Sequence, residues 1–307
     1  MNGFTDRIKE EAARLGFSAC GVTRAEYLAG ETVFLDNALK NNYHADMKYI
    51  ENRQEMRLNP QTLFEGAKSV ISLAYNYYSI KKQTGGAPVI SKYAYGRDYH
   101  FVLKQKLNRL MDFIKQEKSE ADGKTFVDSA PLLEKALAQR AGTGWIGKNS
   151  NLIVNGKGSF YFLAELVLNM PLRYDEPAIS KCGACTRCID ACPTGAIVRP
   201  YVVDARKCIS YLTVELKGSF PEEPTVNLAG RMFGCDICQD ACPWNIRFAV
   251  ENNEPDFAPS QTLLSKTGVE WENLTKEEFL EIFRNSAVKR TKYEGLKRNI
   301  LQLKNKV

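Results

Sequence analysis

The amino-acid sequence predicts an α+β protein made of three consecutive parts. Helical and strand-like segments alternate over residues 1–175, cysteine-rich loops replace that periodicity over 176–250, and helical patterning returns over 251–307. A chain of 307 residues is long for a single hydrophobic core, so more than one packed unit is expected. Apolar residues at 44% and charged residues at 25% are ordinary for a globular protein.

The first part carries the clearest secondary-structure signals. Apolar positions at helical spacing predict helices at 4–16 and 99–117, and the β-branched and aromatic run 67–78 predicts a buried strand. Residues 124–142 predict a strand, a turn and a helix in that order, and residues 150–170 predict a β-hairpin. These segments together predict the α+β domain.

Two other segments carry recognisable local motifs. The run Gly-Thr-Gly-Trp-Ile-Gly-Lys-Asn at 142–149 is similar to a phosphate-binding loop, but Asn149 replaces the Ser or Thr that would bind magnesium. We interpret it as a loop that presents backbone amides and Lys148 to a ligand. Near the C-terminus, Thr275 and Glu278 have the spacing of a capping box and predict the start of a helix.

Eight of the nine cysteines follow a repeated spacing. The first run is Cys182-x2-Cys185-x2-Cys188-x3-Cys192-Pro193, and the second is Cys235-x2-Cys238-x3-Cys242-Pro243. The first run has the spacing of bacterial ferredoxins, in which three thiolates bind one 4Fe–4S cluster and the fourth binds a second cluster. The second run lacks a near upstream cysteine, and Cys208 can supply it across an inserted loop.

The symmetry of the two runs predicts two 4Fe–4S clusters in a ferredoxin-like module. One cluster is assigned Cys182, Cys185, Cys188 and Cys242, and the other Cys192, Cys208, Cys235 and Cys238. Zinc is a weaker alternative, because its four ligands usually come as two close pairs. Disulfides conflict with the reducing environment of the cytoplasm, in which we expect this protein to lie. Cys20 is interpreted as a structural thiol.

The sequence shows no targeting signal and no membrane span. No apolar run reaches spanning length, and residues 1–17 have the charges of an amphipathic helix where a signal peptide would be apolar. We therefore expect a cytoplasmic protein with no membrane association.

The formal net charge of +6 is concentrated near the C-terminus. A cationic segment of this kind suits a polyanion, although a charge run alone more often forms a solvated helix face. The basic residues considered for nucleic-acid contact are Lys289, Arg290, Lys292, Lys297 and Arg298.

Asp128 is the acidic residue of greatest interest in the first part. It follows a predicted strand and precedes a predicted helix, a position at which a carboxylate commonly caps the helix. Taken alone, capping is the more ordinary role, and a general acid would need a pKa raised by burial. Asp98-Tyr99-His100 begins like a signature in which histidine binds cobalt in cobalamin, but Leu103 stands where that signature has glycine.

Several motifs together resemble the epoxyqueuosine reductase family over nearly the whole chain. They are residues 93–100, 127–150 and 158–166, the two cysteine runs, and Cys-Pro-Trp-Asn at 242–245. The resemblance implies a nitroreductase-like cobalamin-binding domain joined to the ferredoxin-like module. It also implies deoxygenation of epoxyqueuosine at the wobble position of tRNA, the last step to queuosine, through Co(I) cobalamin that receives electrons from the clusters.

The resemblance also implies roles for single residues. Asp128 matches the family's proposed proton donor, and the incomplete histidine signature implies cobalamin without a protein imidazole ligand. The basic segment matches a tRNA-contacting segment of the family. The residues expected to contact cobalamin, each of which could instead stabilise the fold, are Arg57, Tyr95, Arg97, Lys148, Ser159 and Asp236.

Two other classes of protein remain open at this point. A reductive dehalogenase-like enzyme would share the cofactors but act on a small molecule, and a pure electron-transfer ferredoxin would leave residues 1–175 without a function. We favour the hypothesis of a monomeric reductase that acts on tRNA and receives electrons from an unidentified donor.

Overall fold

The structure is a computed structural model that describes residues 3–221 and 227–304. Helices occur from one end of these ranges to the other, and several shorter 3-10 turns join them. In chain order the α-helices are α1 Phe4–Arg14, α2 Ala29–Lys40, α3 Lys48–Glu51, α4 Gln54–Leu58, α5 Tyr99–Glu117, α6 Glu134–Arg140, α7 Arg187–Asp190, α8 Ile237–Asp240, α9 Pro243–Phe248, α10 Gln261–Ser265, α11 Gly268–Glu272, α12 Lys276–Ile282 and α13 Lys292–Lys304.

The strands form one four-stranded sheet and three two-stranded pairs within the described residues. In chain order they are β1 Ala19–Arg24, β2 Ser69–Asn76, β3 Val89–Ile90, β4 Gly123–Phe126, β5 Gly144–Ile146, β6 Leu152–Val154, β7 Tyr161–Leu168, β8 Ile197–Arg199, β9 Val202–Val203 and β10 Arg231–Phe233.

The four-stranded sheet is the centre of the first part. Its strands lie in the order β1-β2-β7-β4, and every neighbouring pair is antiparallel. Alternate side chains of a strand point to opposite faces, so β2 contributes Ile71 and Leu73 to one face and Val70 and Ala74 to the other. Both faces are covered, which explains why nearly all of β2 is buried.

Helices pack on both faces of this sheet. Helices α1 and α5 contact each other and cover one face, where Ile8 and Leu107 join the core. Helix α6 packs across β1, β2 and β7 on the other face through Leu137 and Ala138. The predicted α+β fold is therefore confirmed, and the end of α6 near Gly142 agrees with the sequence pattern.

The cysteine-rich part contains little regular structure. Helices α7, α8 and α9 are short, and β8 pairs with β9. Strand β10 pairs in parallel with β3, which joins this part to the first one. The C-terminal helices complete the same region, because Trp271, Phe283 and Leu296 share a core with Met232 of β10.

Capping boxes begin two of the C-terminal helices. Thr267 with Glu270 caps α11, and Thr275 with Glu278 caps α12, the second of which follows the sequence prediction. In the part of the chain that the structure describes, no helix is both long enough and apolar enough to cross a membrane.

Two predictions about residues 142–170 were wrong in part. Strand β6 pairs with β5, whereas β7 lies in the four-stranded sheet, so the two strands of the predicted hairpin belong to different sheets. The turn at 155–158 is nevertheless tight, with a bridge between Val154 and Gly158. The segment 142–149 contains β5, so it is a strand followed by a turn, whereas the sequence predicts a loop throughout. The periodicity of apolar residues does not determine which strand a three-residue strand pairs with.

Candidate active site

A cavity of about 1200 Å³ opens beside the first turn of α5. Its walls come from the α3 to α4 region, the loop between β4 and α6, the segment near 214–215 and the segment 284–290. Charges of both signs line it. The lining bases are Arg53, Arg57, Arg284, Lys289 and Arg290, and the lining acids are Asp98, Asp128, Glu134 and Glu215.

Asp128 lies in this cavity in a strained conformation. Its φ angle is +46°, in the left-handed region that residues other than glycine rarely adopt. The Tyr99 hydroxyl donates a hydrogen bond of 2.5 Å to Asp128 Oδ2. The Asp128 side chain is 64% exposed, so it can contact both a ligand in the cavity and solvent. Strain of this kind clusters at functional sites and persists only where neighbouring groups hold it.

Tyr99 and His100 form the wall against which Asp128 lies. The Tyr99 ring stacks on His100 at 4.1 Å and on Phe162 at 4.2 Å between ring centroids. Burial, followed by the charge and hydrogen bond of Asp128, raises the pKa of Tyr99 well above its ordinary value. The phenol therefore stays protonated and remains a donor to Asp128.

His100 lies between two carboxylates. Its Nδ1 is 2.7 Å from Asp98 Oδ1, and its Nε2 is 4.0 Å from Asp128 Oδ2. Burial lowers the pKa of His100, but the hydrogen bond and charge of Asp98 and the charge of Asp128 outweigh burial and raise it overall. A protonated imidazole is thus favoured beside Asp128.

The backbone of Asp128 is hydrogen-bonded to the first residue of α6. Its N–H donates to Glu134 Oε1 at 2.7 Å, and Glu134 is the first residue of α6. The loop between β4 and α6 is therefore tied both to α5, through the Asp128 side chain, and to α6, through the Asp128 backbone.

Two sets of cysteines are distinguished by which neighbouring thiols raise the pKa of Cys188 and of Cys238. Burial raises the pKa of Cys188, and the neighbours that raise it further are Cys242, Cys182 and Cys185. Burial also raises the pKa of Cys238, followed by Cys235, Cys208 and Cys192, and only then by Cys188 of the other set. Cys182 also packs against the apolar cluster that contains Cys242, so Cys242 lies with the first run of cysteines although it belongs to the second in sequence.

The second set of cysteines lines a smaller cavity of about 390 Å³. Its walls include Cys192, Cys208, Cys235 and Cys238, together with Tyr77 and Lys135. Tyr93 lines both this cavity and the larger one. A group held by the second set of cysteines would therefore lie one side chain away from the cavity that contains Asp128.

Comparisons with known proteins agree with this arrangement. Residues 57–129 match the family model described as epoxyqueuosine reductase QueG, DUF1730, and residues 181–245 match a 4Fe-4S double cluster binding domain. The chain is 54% identical over 300 residues to an epoxyqueuosine reductase of Cellulophaga algicola, and the match covers 98% of each.

The chain belongs to the epoxyqueuosine reductase family.

Other relatives support this assignment. The epoxyqueuosine reductase of Escherichia coli is 39% identical over 306 residues, which cover 98% of this chain and 80% of that protein. The solved structure of an epoxyqueuosine reductase with an epoxyqueuosine-modified tRNA-Tyr stem loop has a TM-score of 0.87 and 31% identity, covering 97% of this chain and 80% of that one. The structure from Streptococcus thermophilus has the same TM-score and coverage at 30% identity. The predicted family, the oxidoreductase class and the α+β fold are thus confirmed.

In this epoxyqueuosine reductase family member, Arg57 is the one predicted cobalamin contact that lines the large cavity. Its Nη2 donates to the Tyr49 carbonyl oxygen at 2.6 Å, and burial lowers its pKa. Tyr95 is packed in the core of the C-terminal helices, and the Arg97 guanidinium lies 3.3 Å from Asp256 Oδ2. The roles of these three residues toward cobalamin stay predictions.

The other three predicted contacts join the cysteine-rich part to the first part. Lys148 Nζ donates to the carbonyl oxygens of Gly183 and Cys185 at 2.7 and 2.9 Å. Ser159 Oγ donates to Gln239 at 3.0 Å, and the Asp236 carboxylate accepts hydrogen bonds from Ser91 and from the backbone of Lys92. These contacts stabilise the fold, and any role toward a cofactor stays a prediction.

The five predicted tRNA-contacting residues fall into two groups. Lys289 and Arg290 line the large cavity, and Arg290 also pairs with Glu215 at 2.6 Å. By contrast, Arg298 donates to the carbonyl oxygens of Leu212, Leu216 and Gly218. The remaining two, Lys297 and Lys292, lie on α13, where Lys297 donates to two backbone carbonyls and Lys292 is the first residue.

Sequence reasoning missed several residues around Asp128. In the sequence, Tyr99 and His100 belong only to an incomplete cobalt-binding signature, and no motif marks Glu134 or Arg284. The signal that could have found Glu134 is its position six residues after Asp128 at the predicted start of a helix, where its carboxylate can accept from the preceding loop.

Proposed function

We propose that this chain reduces epoxyqueuosine to queuosine at the wobble position of tRNA, with two 4Fe–4S clusters and cobalamin as cofactors. The observation that carries the proposal is the juxtaposition of the two cysteine sets with the cavity that contains Asp128. A relative solved with an epoxyqueuosine-modified tRNA stem loop supports tRNA as the substrate.

The donor sets fit the proposed cofactors. Four thiols in each set match the ligand number of a 4Fe–4S cluster. The larger cavity has room for a bulky cofactor and part of a substrate, and Tyr93 separates it from the second set of cysteines. When bound, the clusters and cobalamin would supply the electrons.

His100 Nδ1 is 2.7 Å from Asp98 Oδ1, and His44 Nε2 lies 2.5 Å from Glu51 Oε1. Cobalamin binding without a protein imidazole ligand, which the family resemblance implies, stays part of the proposal. We propose that the Arg57 side chain, which lines the large cavity, contacts the polar edge of the cofactor.

The residues of the chain supply protons and position. Removal of the epoxide oxygen as water uses two electrons and two protons and leaves a carbon–carbon double bond. We assign Asp128 as the group that protonates the epoxide oxygen, with the Tyr99 hydroxyl fixing the direction of its carboxyl. The Asp128 side chain is 64% exposed in the open cavity, so the burial that a general acid needs would come from the bound cofactor and nucleotide, and the second proton would come from solvent.

The rim of the cavity supplies the tRNA contact in this proposal. Lys289 and Arg290 line the cavity, and we assign them to the phosphates beside an extruded wobble nucleotide, since phosphate contacts of this type are electrostatic. The identity of the electron donor, a monomeric state and a cytoplasmic location stay predictions.

The test uses anaerobically purified protein with cobalamin, a strong reductant and tRNA that carries epoxyqueuosine. We expect iron and acid-labile sulfide for two clusters, a corrinoid spectrum, and conversion to queuosine in the digested nucleosides. Asp128→Asn should lose conversion while retaining both cofactors, whereas Asp112→Asn, an exposed change on α5 away from the cavity, should behave as the natural chain. Full conversion by Asp128→Asn would remove the proton-donor assignment, and absence of a corrinoid spectrum would remove the proposed chemistry.

A further inference from the structure

The two sets of cysteines differ in how exposed their surroundings are. In the first set, the residues that separate Cys182, Cys185 and Cys188 along the chain are all exposed. By contrast, Asp236 and Gln239, which flank cysteines of the second set, are 5% and 7% exposed. The second set lines the inner cavity that lies next to the large one. An electron from outside the protein would therefore reach a cluster held by the first set before one held by the second.

Aromatic contacts connect the exposed segments on two sides of the first set. Lys181 Nζ lies 5.9 Å from the ring centroid of Trp145, and Trp145 contacts Trp244 edge to face at 4.8 Å. Trp244 in turn stacks on Phe248 at 5.4 Å, and the Arg247 guanidinium lies 5.1 Å from the Phe248 centroid. Lys181 and Arg247 are 66 positions apart in the chain, but this series of contacts places them on one continuous surface.

Cations and exposed apolar side chains characterise this surface. Arg187 is exposed between two cysteines of the first set, and Ile179 and Ile246 are 81% and 67% exposed on the segments that carry Lys181 and Arg247. Within the residues that the structure describes, none of the three cations forms an ion pair, since Lys181 donates to an amide oxygen at 2.9 Å and Arg247 lies over a ring. We call this surface the basic face, and it consists of Ile179, Lys181, Arg187, Ile246 and Arg247.

The acids close to the basic face in sequence do not cancel its charge. Asp190 accepts a hydrogen bond of 2.8 Å from a threonine hydroxyl on its own helix, and Glu176 is exposed. On the other side, Asp240 accepts from a lysine of the first part at 2.8 Å, and Glu251 accepts hydrogen bonds from a serine hydroxyl and a backbone N–H of that part. The basic face therefore keeps cations that are available to a partner with negative charge.

We propose that the basic face docks an acidic protein that carries one electron at a time, and that this carrier reduces the cluster held by the first set of cysteines. The proposal rests on the proposed function, in which the two clusters deliver electrons to the reaction. Complementary charge steers such encounters, and exposed apolar side chains amid a polar rim are typical of protein interfaces.

The electron balance sets what the carrier must do. Removal of one epoxide oxygen as water takes two electrons, so two reduced carriers are each oxidised by one electron for every queuosine formed. The two protons come from Asp128 and solvent, as proposed above, so the carrier transfers electrons alone. Two successive carriers must bind and leave, which suits a small, electrostatically steered and salt-sensitive interface.

The test measures binding of a carrier to the anaerobically prepared holoenzyme. The probe is an oxidised, acidic plant-type 2Fe–2S ferredoxin, and its Kd is measured by calorimetry over a salt series. The test variant Lys181→Glu/Arg247→Glu reverses two charges of the basic face. The matched control Lys40→Glu/Lys118→Glu makes the same change in net charge at exposed lysines at the ends of α2 and α5.

The two double variants should differ in binding but agree in chemistry. We expect Lys181→Glu/Arg247→Glu to raise the Kd for ferredoxin about tenfold or more and to flatten its dependence on salt, whereas the control should stay within about twofold of the natural chain. With dithionite as a small-molecule reductant, both should keep the iron content and the rate of epoxyqueuosine conversion of the natural chain. Should Lys181→Glu/Arg247→Glu lose iron or fail to fold, Lys181→Gln/Arg247→Gln replaces it, with an expected rise in Kd of about threefold against Lys40→Gln/Lys118→Gln.

Three outcomes would overturn the proposal. They are no measurable binding of ferredoxin to the natural chain, equal binding by the natural chain and the test variant, and equal weakening in the test variant and its control, which would be an effect of net charge alone. Failure of the proposed function has a different signature. If the natural chain converted no epoxyqueuosine even with dithionite, that function would be lost, but the binding series would still report whether the basic face docks the carrier.

Discussion

The phenol of Tyr99 donates a 2.5 Å hydrogen bond to the carboxylate of Asp128, and the two residues are 29 positions apart in the chain. The bond links the first turn of α5 to the loop that precedes α6. Because the Tyr99 ring is buried between His100 and Phe162, the hydroxyl can move little, and it fixes where the Asp128 carboxyl points.

Removal of this hydroxyl should therefore reduce catalysis more than substrate binding. In Tyr99→Phe the ring stack is retained and a hydrogen bond to a charged group, worth roughly 1.5–3 kcal/mol, is lost. We expect kcat to fall about tenfold or more with KM for tRNA unchanged, measured by conversion of epoxyqueuosine to queuosine under saturating cobalamin. Tyr49→Phe, which removes another phenol hydroxyl from the lining of the same cavity, is the matched control. Equal kcat values in Tyr99→Phe and the natural chain would contradict the positioning role.

The crosswise grouping of the cysteines makes a prediction about iron content. Cys242 lies with the first run in space, so Cys242→Ala should remove a ligand from the cluster of Cys182, Cys185 and Cys188. We expect iron to fall from about eight to about four atoms per chain as one cluster is lost. Cys20→Ala, which changes the cysteine that belongs to neither set, should keep the full iron content. Retention of all the iron by Cys242→Ala would contradict the assignment.

Much of the fold could be predicted because local patterns determine it. Helix α5 has the predicted limits, and β2 lies within the predicted buried run. Strand pairing was harder to predict, because β6 is three residues long and its partner depends on contacts that are distant in sequence. The pattern of cysteine spacing was informative because a metal cluster restricts the spacing of its ligands.

The candidate site could be predicted only where a motif marks it. Asp128 was found through a family resemblance, whereas Glu165 lies in an apolar strand and was missed. Its side chain accepts a hydrogen bond from Ser72, 93 positions away, and such contacts are set by tertiary packing. The same reason explains why Lys289 and Arg298, which look alike in sequence, have different surroundings.

The two kinds of basic residue near the C-terminus should respond differently to substitution. Lys289 lines the cavity, so Lys289→Ala should weaken tRNA binding and reduce the slope of log Kd against log salt by about one phosphate contact. Arg298 instead donates to three backbone carbonyls, so Arg298→Ala should lower the free energy of unfolding by about 1–3 kcal/mol and leave the salt slope unchanged. The measurements are filter binding over a salt series and chemical denaturation. A changed salt slope in Arg298→Ala would contradict this division.

Gly158 should be the glycine at which substitution damages the contact between the sheet and the cysteine-rich part. Its φ angle is +94°, and an added Cβ would lie 2.2 Å from Asn245 Oδ1. That oxygen accepts from the Ser159 N–H, and Asn245 Nδ2 donates to Ser159 Oγ and to the Gln239 carbonyl oxygen. Displacement of Asn245 would therefore disturb α9 next to Cys242.

Gly156 provides the matched control for this prediction. Its φ angle is +67°, but an added Cβ would meet no atom within 4 Å, so Gly156→Ala introduces backbone strain alone. We expect Gly156→Ala to lower the free energy of unfolding by about 1 kcal/mol and Gly158→Ala by about 3 kcal/mol or more, because the contact with Asn245 is lost in addition. Gly158→Ala should also lose iron faster than Gly156→Ala when a chelator is added. Equal losses of stability and iron in the two variants would show that Asn245 does not anchor the cysteine-rich part.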